Sequence, residues 1–432
     1  MLNVPHRLLN KRPLNRSPLN QSPLNCCLFF RSLPGVLSAL IAVLSLLLSG
    51  CATPPDSASF KPSGEQLPDY DQPTFAGYQT VTRQWVKTHR AFITANHERE
   101  TDLNSPFEMQ PAADSVQGKR RGILLVHGLG DSPGYMRDIA KIMAADGWLV
   151  RSILLPGHGT RPADTLLAHY DDWTGVVAHQ AELLSEDVDE VWLGGFSTGG
   201  NLVTSYAIEH KEVAGLLLFS PGFYPISQSL LALSPVVSYL WNWVDVDAED
   251  NILRYESLTT NASALYYQSV KDVQALLEEK GFDRPALITI SQDDSVLQPD
   301  KTLQAFSQHF TNPSSRLVWY GDEDISATAD QRVSRLPSYL PQQRISNFSH
   351  MSVVFSPANP YVGEDGSYIM LNNGQQDAVP PQQRKDFWFS AWGFREDGKY
   401  HARLTWNPYF TELEHSISEV TESHSGSHLV AQ

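Results

Sequence analysis

The sequence predicts a mostly parallel β-sheet with helices packed on both faces. Two observations carry this: short apolar runs of strand length alternate with amphipathic helical stretches from Gly122 onward, and glycine or proline falls at the joins. Composition agrees, since a chain of 432 residues that is 41% hydrophobic can bury a large core.

Gly122-Ile-Leu-Leu-Val126 reads as a buried parallel strand that delivers His127-Gly-Leu-Gly130 at its carboxyl end. A helix follows, with Ser132 as its cap, Pro133 in the first turn, Met136, Ile139, Ala140 and Met143 on one face, and Gly147 at its end. Trp148 to Leu155 is the next strand, stopped by Pro156, and a helix is expected around Trp173 to Leu184. The strand Glu190-Val-Trp-Leu-Gly194 runs into Gly195-Phe-Ser-Thr-Gly199, and Leu202 to His210 reads as a helix with Leu202, Val203, Tyr206 and Ala207 inward. Ligands of such sheets sit beyond the carboxyl ends of the strands.

From Val213 to Val244 no residue is charged. Val213 to Phe219 is expected as a strand. The remainder, with Leu230, Leu231, Leu233, Val236, Val237, Leu240, Trp241 and Trp243, reads as helical and apolar. Two readings stay open: a segment packed on the core, or a cap over the sheet's carboxyl edge whose underside lines a pocket for an apolar chain. Pro221, Pro225 and Pro235 argue against a membrane hairpin.

The net charge is −16, yet residues 1–50 hold five basic side chains and no acid, so the rest of the chain is more acidic still. An acidic body of this kind repels phosphate backbones, which excludes nucleic acid as a partner. All three cysteines (Cys26, Cys27, Cys51) lie in the first 51 residues, so the body offers no disulfide, no cysteine-ligated zinc and no thiol nucleophile.

A basic leader runs to Arg31, and the uncharged stretch Ser32 to Gly50 has an apolar part, Val36 to Leu48, of signal-peptide length. It ends in Leu48-Ser-Gly-Cys51, which resembles the lipobox of bacterial lipoproteins. That resemblance implies a lipid on Cys51 and a place in the bacterial cell envelope, membrane-anchored and facing the periplasm or exterior. The alternative is a plain anchor helix with an incidental cysteine. The short repeat Arg12-Pro-Leu-Asn15, Ser17-Pro-Leu-Asn20, Ser22-Pro-Leu-Asn25 reads as low-complexity leader, or as a start codon placed too early. Residues 51–76, rich in Pro, Ser and Asp, suit a flexible tether.

Gly-x-Ser-x-Gly gains meaning from its position between an apolar strand and a helix. A sharp turn there exposes Ser197, and side chains at Gly195 and Gly199 would collide with the neighbouring turn. A serine hydroxyl is a weak nucleophile near neutral pH and needs a base.

Four pieces in order, His127-Gly-Leu-Gly130, Pro156-Gly-His-Gly159 with Asp172-Trp173, Gly195-Phe-Ser-Thr-Gly199 and Ser291-Gln-Asp-Asp-Ser-Val296, resemble the α/β-hydrolase superfamily. The branch they resemble holds carboxylesterases, monoacylglycerol lipases and the serine aminopeptidase profile; the resemblance covers about Gly122 to Phe355. It implies an acid after the late strand Ala286 to Ser291, where the family spacing favours Asp294 over its neighbour Asp293. It also implies a histidine base after the last strand, which points to His350; His309, His401 and His415 are the competitors. Arg316-Leu-Val-Trp-Tyr-Gly321 resembles that last strand, so Asp322 to Gln343 reads as an insertion. The chain order Ser197, Asp294, His350 is the one this fold requires. By the family's geometry the N–H groups of Leu129 and Thr198 would form the oxyanion hole, while His127 and His158 shape loops.

The expected function is a serine hydrolase of carboxylic esters, acting on short to medium acyl or monoglyceride-like lipid substrates. It would require no metal and no organic cofactor, and its N-terminal lipid would meet a membrane. An aminopeptidase-type hydrolase on the same triad is the alternative, with Asp245, Asp247, Glu249 and Asp250 as candidates to hold a substrate ammonium. A non-catalytic surface lipoprotein, binding a partner through the aromatic-rich region 356–432 with Trp388, Trp392, Trp406, Pro408 and Tyr409, is another. The hydrolase domain is expected over 77–355 with a cap at about 222–283, and 356–432 as a C-terminal extension with a frayed tail from Thr421.

Overall fold

The computed structural model describes residues 54–64, 66–112, 118–323, 330–374 and 387–427. The leader 1–50 and Cys51 lie outside the described residues.

The main sheet begins with β1 (Phe107–Met109), β2 (Arg121–Val126), β3 (Trp148–Ile153), β4 (Glu190–Phe196) and β5 (Val213–Phe219). Between β5 and the next strand of this sheet, β6 (Trp243–Asp245) and β7 (Leu258–Thr259) pair antiparallel as a separate ribbon. The sheet resumes with β8 (Ala286–Ser291), β9 (Arg316–Tyr320) and β10 (Val333–Leu336). Its spatial order is β1-β3-β2-β4-β5-β8-β9-β10; β1 is antiparallel to β3 and every other pair is parallel. The chain moves from β2 out to β3 and returns to β4 on the other side of β2. That reversal opens a crevice beyond the carboxyl ends of β2 and β4.

The central strands β2, β4, β5 and β8 are largely apolar because both faces are covered. Leu124, Val126, Leu193, Leu216 and Leu218 enter one core cluster, whereas Ile123, Leu125, Trp192, Leu217 and Phe219 enter the other. This is the two-residue period of a strand between two layers. The helices Tyr170–Asp187, Thr198–Glu209 and Thr260–Lys280 cover the first face, and Arg137–Ala145 and Phe410–Ser427 the second.

The helix expected after β2 starts differently. Pro133–Met136 is a 3-10 turn leading into Arg137–Ala145, and Ser132 Oγ caps nothing but donates to Leu103 O at 3.2 Å. The apolar face Met136, Ile139, Ala140 and Met143 is buried as expected, and Gly147 has φ 86°. Tyr206, expected inward, is only half-buried and stacks on His210 at 3.8 Å.

The uncharged stretch is core as far as Phe223, but beyond Pro225 most of its apolar side chains stay exposed. It forms two four-residue helices, Gln228–Leu231 and Ser234–Val237, with Leu230 67%, Val236 68% and Tyr239 89% exposed. Pro225 and Pro235 keep the segment from forming one long helix that could lay its apolar side on the body. Within the same insertion the helix Thr260–Lys280 is capped by Thr259 Oγ1, which accepts from Ala262 N at 3.1 Å, and ends at Gly281, φ 62°.

Two further expectations change. The stretch Asp322 to Gln343 contains β10, which extends the sheet beside β9, so β9 is not the last strand before His350. Val-Ser-Arg-Leu lacks an apolar run because it is a partly exposed edge. Residues 356–374 and 387–427 belong to one compact unit with the rest of the body. Tyr361, Met370, Leu404 and Trp406 are buried in the cluster that holds Ile123, and so are Leu413, Ile417 and Val420 of the last helix. The tail expected from Thr421 is helical to Ser427. In this segment β11 (Trp388–Ser390) and β12 (His401–Arg403) form a parallel pair.

Candidate active site

Ser197 sits between β4 and the helix Thr198–Glu209 with φ 50° and ψ −115°. A non-glycine residue there is strained, so the surroundings must hold it. Ser197 N donates to Phe219 O (3.0 Å), while its carbonyl accepts from Gly222 N (2.9 Å) and Asn201 N (3.3 Å). The flanking glycines are required by space. A Cβ on Gly199 would run into the carbonyl oxygens of Val126 and His127, and one on Gly195 into the backbone of Gly199 and Gly200.

His350 lies on a loop held from two sides. Ser291 Oγ at the end of β8 donates to Phe348 O (2.9 Å), and Ser349 Oγ donates to Leu404 O (2.6 Å) in the C-terminal segment. Its Nε2 is 3.0 Å from Ser197 Oγ and its Nδ1 is 2.6 Å from Asp294 Oδ2. Asp294 is 4% exposed, and its other oxygen accepts from Val296 N (2.8 Å) and Leu297 N (3.0 Å). With the Nδ1 proton donated to Asp294, Nε2 presents its lone pair to the serine hydroxyl.

Asp293 is turned away. Burial pushes its carboxyl above the ordinary range, against a hydrogen bond from Asn347. His309 ends the helix Pro299–His309, His401 lies on β12 and His415 on the last helix. Of the carboxylates considered for an ammonium, Glu249 accepts from Glu256 N (3.0 Å) and Ser257 N (2.8 Å), and Asp250 accepts from Tyr368 Oη (2.8 Å).

Thr198 is the first residue of its helix, so its N–H has no intrahelical acceptor. In the loop after β2, Gly130 N donates to His158 Nε2 (3.0 Å) and Asp131 N to Gly128 O (3.2 Å), while Leu129 N has no acceptor among the described residues. Two N–H groups near Ser197 are therefore free for an oxyanion. His127 Nε2 accepts from Leu155 N (3.1 Å), which fixes it as a brace. Burial keeps both imidazoles neutral, holding His127 well below the ordinary range and His158 down to about 4.

Sequence reasoning passed over Asp131, whose signal is an acid directly after the glycine turn. It is 5% exposed, and a Cβ added to Gly128 would meet Asp131 Oδ2 at 2.5 Å and Ser197 Cβ at 3.1 Å. Burial pushes its pKa up to about 7, opposed by Arg254 and His350. The folded state thus binds this proton more tightly than the unfolded chain, where the value is near 3.8. Its contribution is favourable below about pH 4 and is lost as pH rises to 7, a difference of up to about 4 kcal/mol. Asp131→Asn is expected to raise the melting temperature at pH 8 and to change it little at pH 4. Equal shifts at both pH values would contradict this account.

Residues 117–322 match the family model described as "Serine aminopeptidase, S33" (Hydrolase_4). A thermostable monoacylglycerol lipase from Bacillus sp. (strain H-257) is 27% identical over 183 residues, 41% of this chain and 72% of that protein. Among solved structures, one described under LipS and LipT, two metagenome-derived lipolytic enzymes, is 26% identical with a TM-score of 0.43, covering 52% of this chain and 91% of its own. A soluble variant of monoglyceride lipase from Saccharomyces cerevisiae is 15% identical with a TM-score of 0.41, covering 50% and 81%.

Proposed function

We propose that this α/β-hydrolase cleaves carboxylic esters through Ser197, His350 and Asp294. The observation that carries the reading is the unbroken hydrogen-bonded line from Asp294 Oδ2 to His350 Nδ1 (2.6 Å) and from His350 Nε2 to Ser197 Oγ (3.0 Å). As Ser197 Oγ attacks the carbonyl carbon, its proton passes to His350 Nε2, and Asp294 stabilises the imidazolium. The charge growing on the carbonyl oxygen meets Thr198 N–H and Leu129 N–H, each such donor lowering the barrier by about 3 kcal/mol. His350 then protonates the leaving alcohol. Water, deprotonated by the same imidazole, releases the acid.

The uncharged, exposed apolar residues Leu230, Leu233, Val236 and Leu240 support a substrate with an acyl chain, in the class of short to medium acyl esters and monoglyceride-like lipids. The family description keeps amide hydrolysis as the second reading. An amine is the poorer leaving group, so esters are expected to be preferred. We further propose a lipid anchor at Cys51 that holds the enzyme at the cell envelope, on the support of Leu48-Ser-Gly-Cys51.

The test is hydrolysis of p-nitrophenyl esters of rising chain length beside aminoacyl arylamides, with a fluorophosphonate probe for the nucleophile. Ester turnover and labelling at Ser197 are expected; arylamides turned over faster than esters would reverse the assignment.

A further inference from the structure

The residues ahead of the hydrolase domain are fastened to it by a buried acid. Ala58–Phe60 forms one 3-10 turn, and Arg161 Nη1, in the loop after β3, donates to Ala58 O (3.2 Å). The Phe60 ring meets Trp243 of β6 edge-on, with centroids 5.2 Å apart. Ser63 then reaches Asp164 in the 3-10 turn Pro162–Leu166: its N donates to Oδ1 (2.7 Å) and its Oγ to Oδ2 (2.8 Å). Asp164 is 0% exposed, and the third bond it accepts comes to Oδ2 from Thr160 Oγ1 (2.5 Å). Ser63 N is thus the one donor to Oδ1 among the described residues. A buried acceptor stripped of its donors is costly, so Asp164 holds Ser63 in place as firmly as Ser63 holds Asp164.

From Asp164 the hydrogen bonds continue to the loop after β2. Thr160 is 1% exposed, and its N donates to Tyr255 Oη (2.8 Å). Tyr255, buried in the insertion between β5 and β8, donates from its own N to Gly130 O (2.8 Å). Its ring stacks on His158, with centroids 6.1 Å apart, and His158 Nε2 accepts from Gly130 N (3.0 Å). Both backbone groups of Gly130 are therefore held, and Asp131 N closes the turn on Gly128 O (3.2 Å). Between these fixed peptide groups stands the Leu129 N–H. Such a donor acts only where the oxyanion will form, and a displacement of about 1 Å forfeits much of its effect. Tyr255 is the pivot of this arrangement, since its hydroxyl is fixed by Thr160 and its amide fixes Gly130.

We infer that Ser63 is a positioning residue for the hydrolytic reaction: through Asp164, Thr160 and Tyr255 it holds the loop whose Leu129 N–H receives the oxyanion. The segment leading into the domain thereby sets the rate of the chemistry inside it. This rests on ester hydrolysis at Ser197 and adds a residue that no reacting atom touches.

The experiment measures kcat and KM of the full-length protein on p-nitrophenyl butyrate and on its thiono analogue, in which sulfur replaces the carbonyl oxygen. Sulfur accepts hydrogen bonds weakly, so the thiono ester gains little from a well-placed donor. Ser63→Ala is expected to lower kcat on the oxygen ester about 3- to 10-fold, and Tyr255→Phe about 10- to 100-fold, with KM within about twofold of the parent. The ratio of oxygen-ester to thiono-ester rates is expected to fall with them, and Ser63→Thr, which keeps the hydroxyl, to recover both quantities. The double variant should lose little more than Tyr255→Phe alone, because the two residues act along one line. An unchanged kcat in Ser63→Ala, additive losses in the double variant, or equal losses on both esters would overturn the inference. Equal losses are what partial unfolding gives, since fewer active molecules slow both reactions alike. The hydrolase reading is judged separately, on the parent enzyme, by turnover of the oxygen ester and fluorophosphonate labelling of Ser197.

Discussion

Ser197→Ala is expected to lower kcat on a soluble aryl ester by about 10⁶-fold while leaving the melting temperature within a degree or two of the parent. The structural half of this expectation follows from where Ser197 is held. Its strained backbone is fixed by Phe219 O, Gly222 N and Asn201 N, none of which involves the hydroxyl. Asp294→Asn is expected to cost about 10⁴-fold, because the amide no longer selects the tautomer that leaves Nε2 free toward Ser197. Combining the two should cost little more than Ser197→Ala alone, since the residues act as one unit. Steady-state kinetics with active-site titration checks each value. Retained activity in Ser197→Ala would end the mechanism, and additive losses in the double variant would mean that Asp294 acts elsewhere.

The parts of this site that could be read in the sequence are those fixed by local rules. Gly195 and Gly199 stand where a Cβ would strike backbone, and β2, β4, β5 and β8 are mostly apolar because layers cover both faces. His350 could be placed by chain order, but not the reason its loop stays in position. That support comes from Leu404 and Phe389, in a segment with no periodicity to announce it. The edge strand β10 escaped for a related reason, since an exposed Ser334 and Arg335 dilute its pattern. The uncharged stretch misled in the opposite sense. Apolar composition suggests burial, yet Leu230 and Val236 face outward because two prolines divide the segment into helices too short to reach across the body. The burial of Asp131 is invisible along the chain, because the groups that act on it, Arg254 and His350, come from separate stretches.

Arg90→Ala is expected to destabilise the protein by about 3–5 kcal/mol, the largest stability effect foreseen for one side chain outside the triad. Arg90 and Glu100 are 3% and 0% exposed at their side chains and pair at 2.8 Å. Glu100 also accepts from Thr94 N (2.6 Å) and Ile93 N (3.1 Å); burial raises its pKa, but these bonds and Arg90 outweigh it and hold the carboxylate below the ordinary range. Removing the guanidinium leaves that carboxylate buried with backbone donors alone. It also frees the carbonyl of Gly159, to which Arg90 Nη1 donates (2.9 Å), and leaves Ile252 O, to which Nη2 donates (3.0 Å), with Asn104 Nδ2 (2.8 Å) as its remaining side-chain donor. Gly159 ends the loop whose His158 braces Gly130, and Ile252 precedes Arg254, so the loss should loosen both walls of the crevice and lower kcat as well. Glu100→Gln placed on Arg90→Ala removes the stranded charge and is expected to recover part of the stability. Urea titration at pH 7 reads the effect: a loss below about 1 kcal/mol, the range of an exposed pair, would show that Glu100 is satisfied by its backbone donors alone.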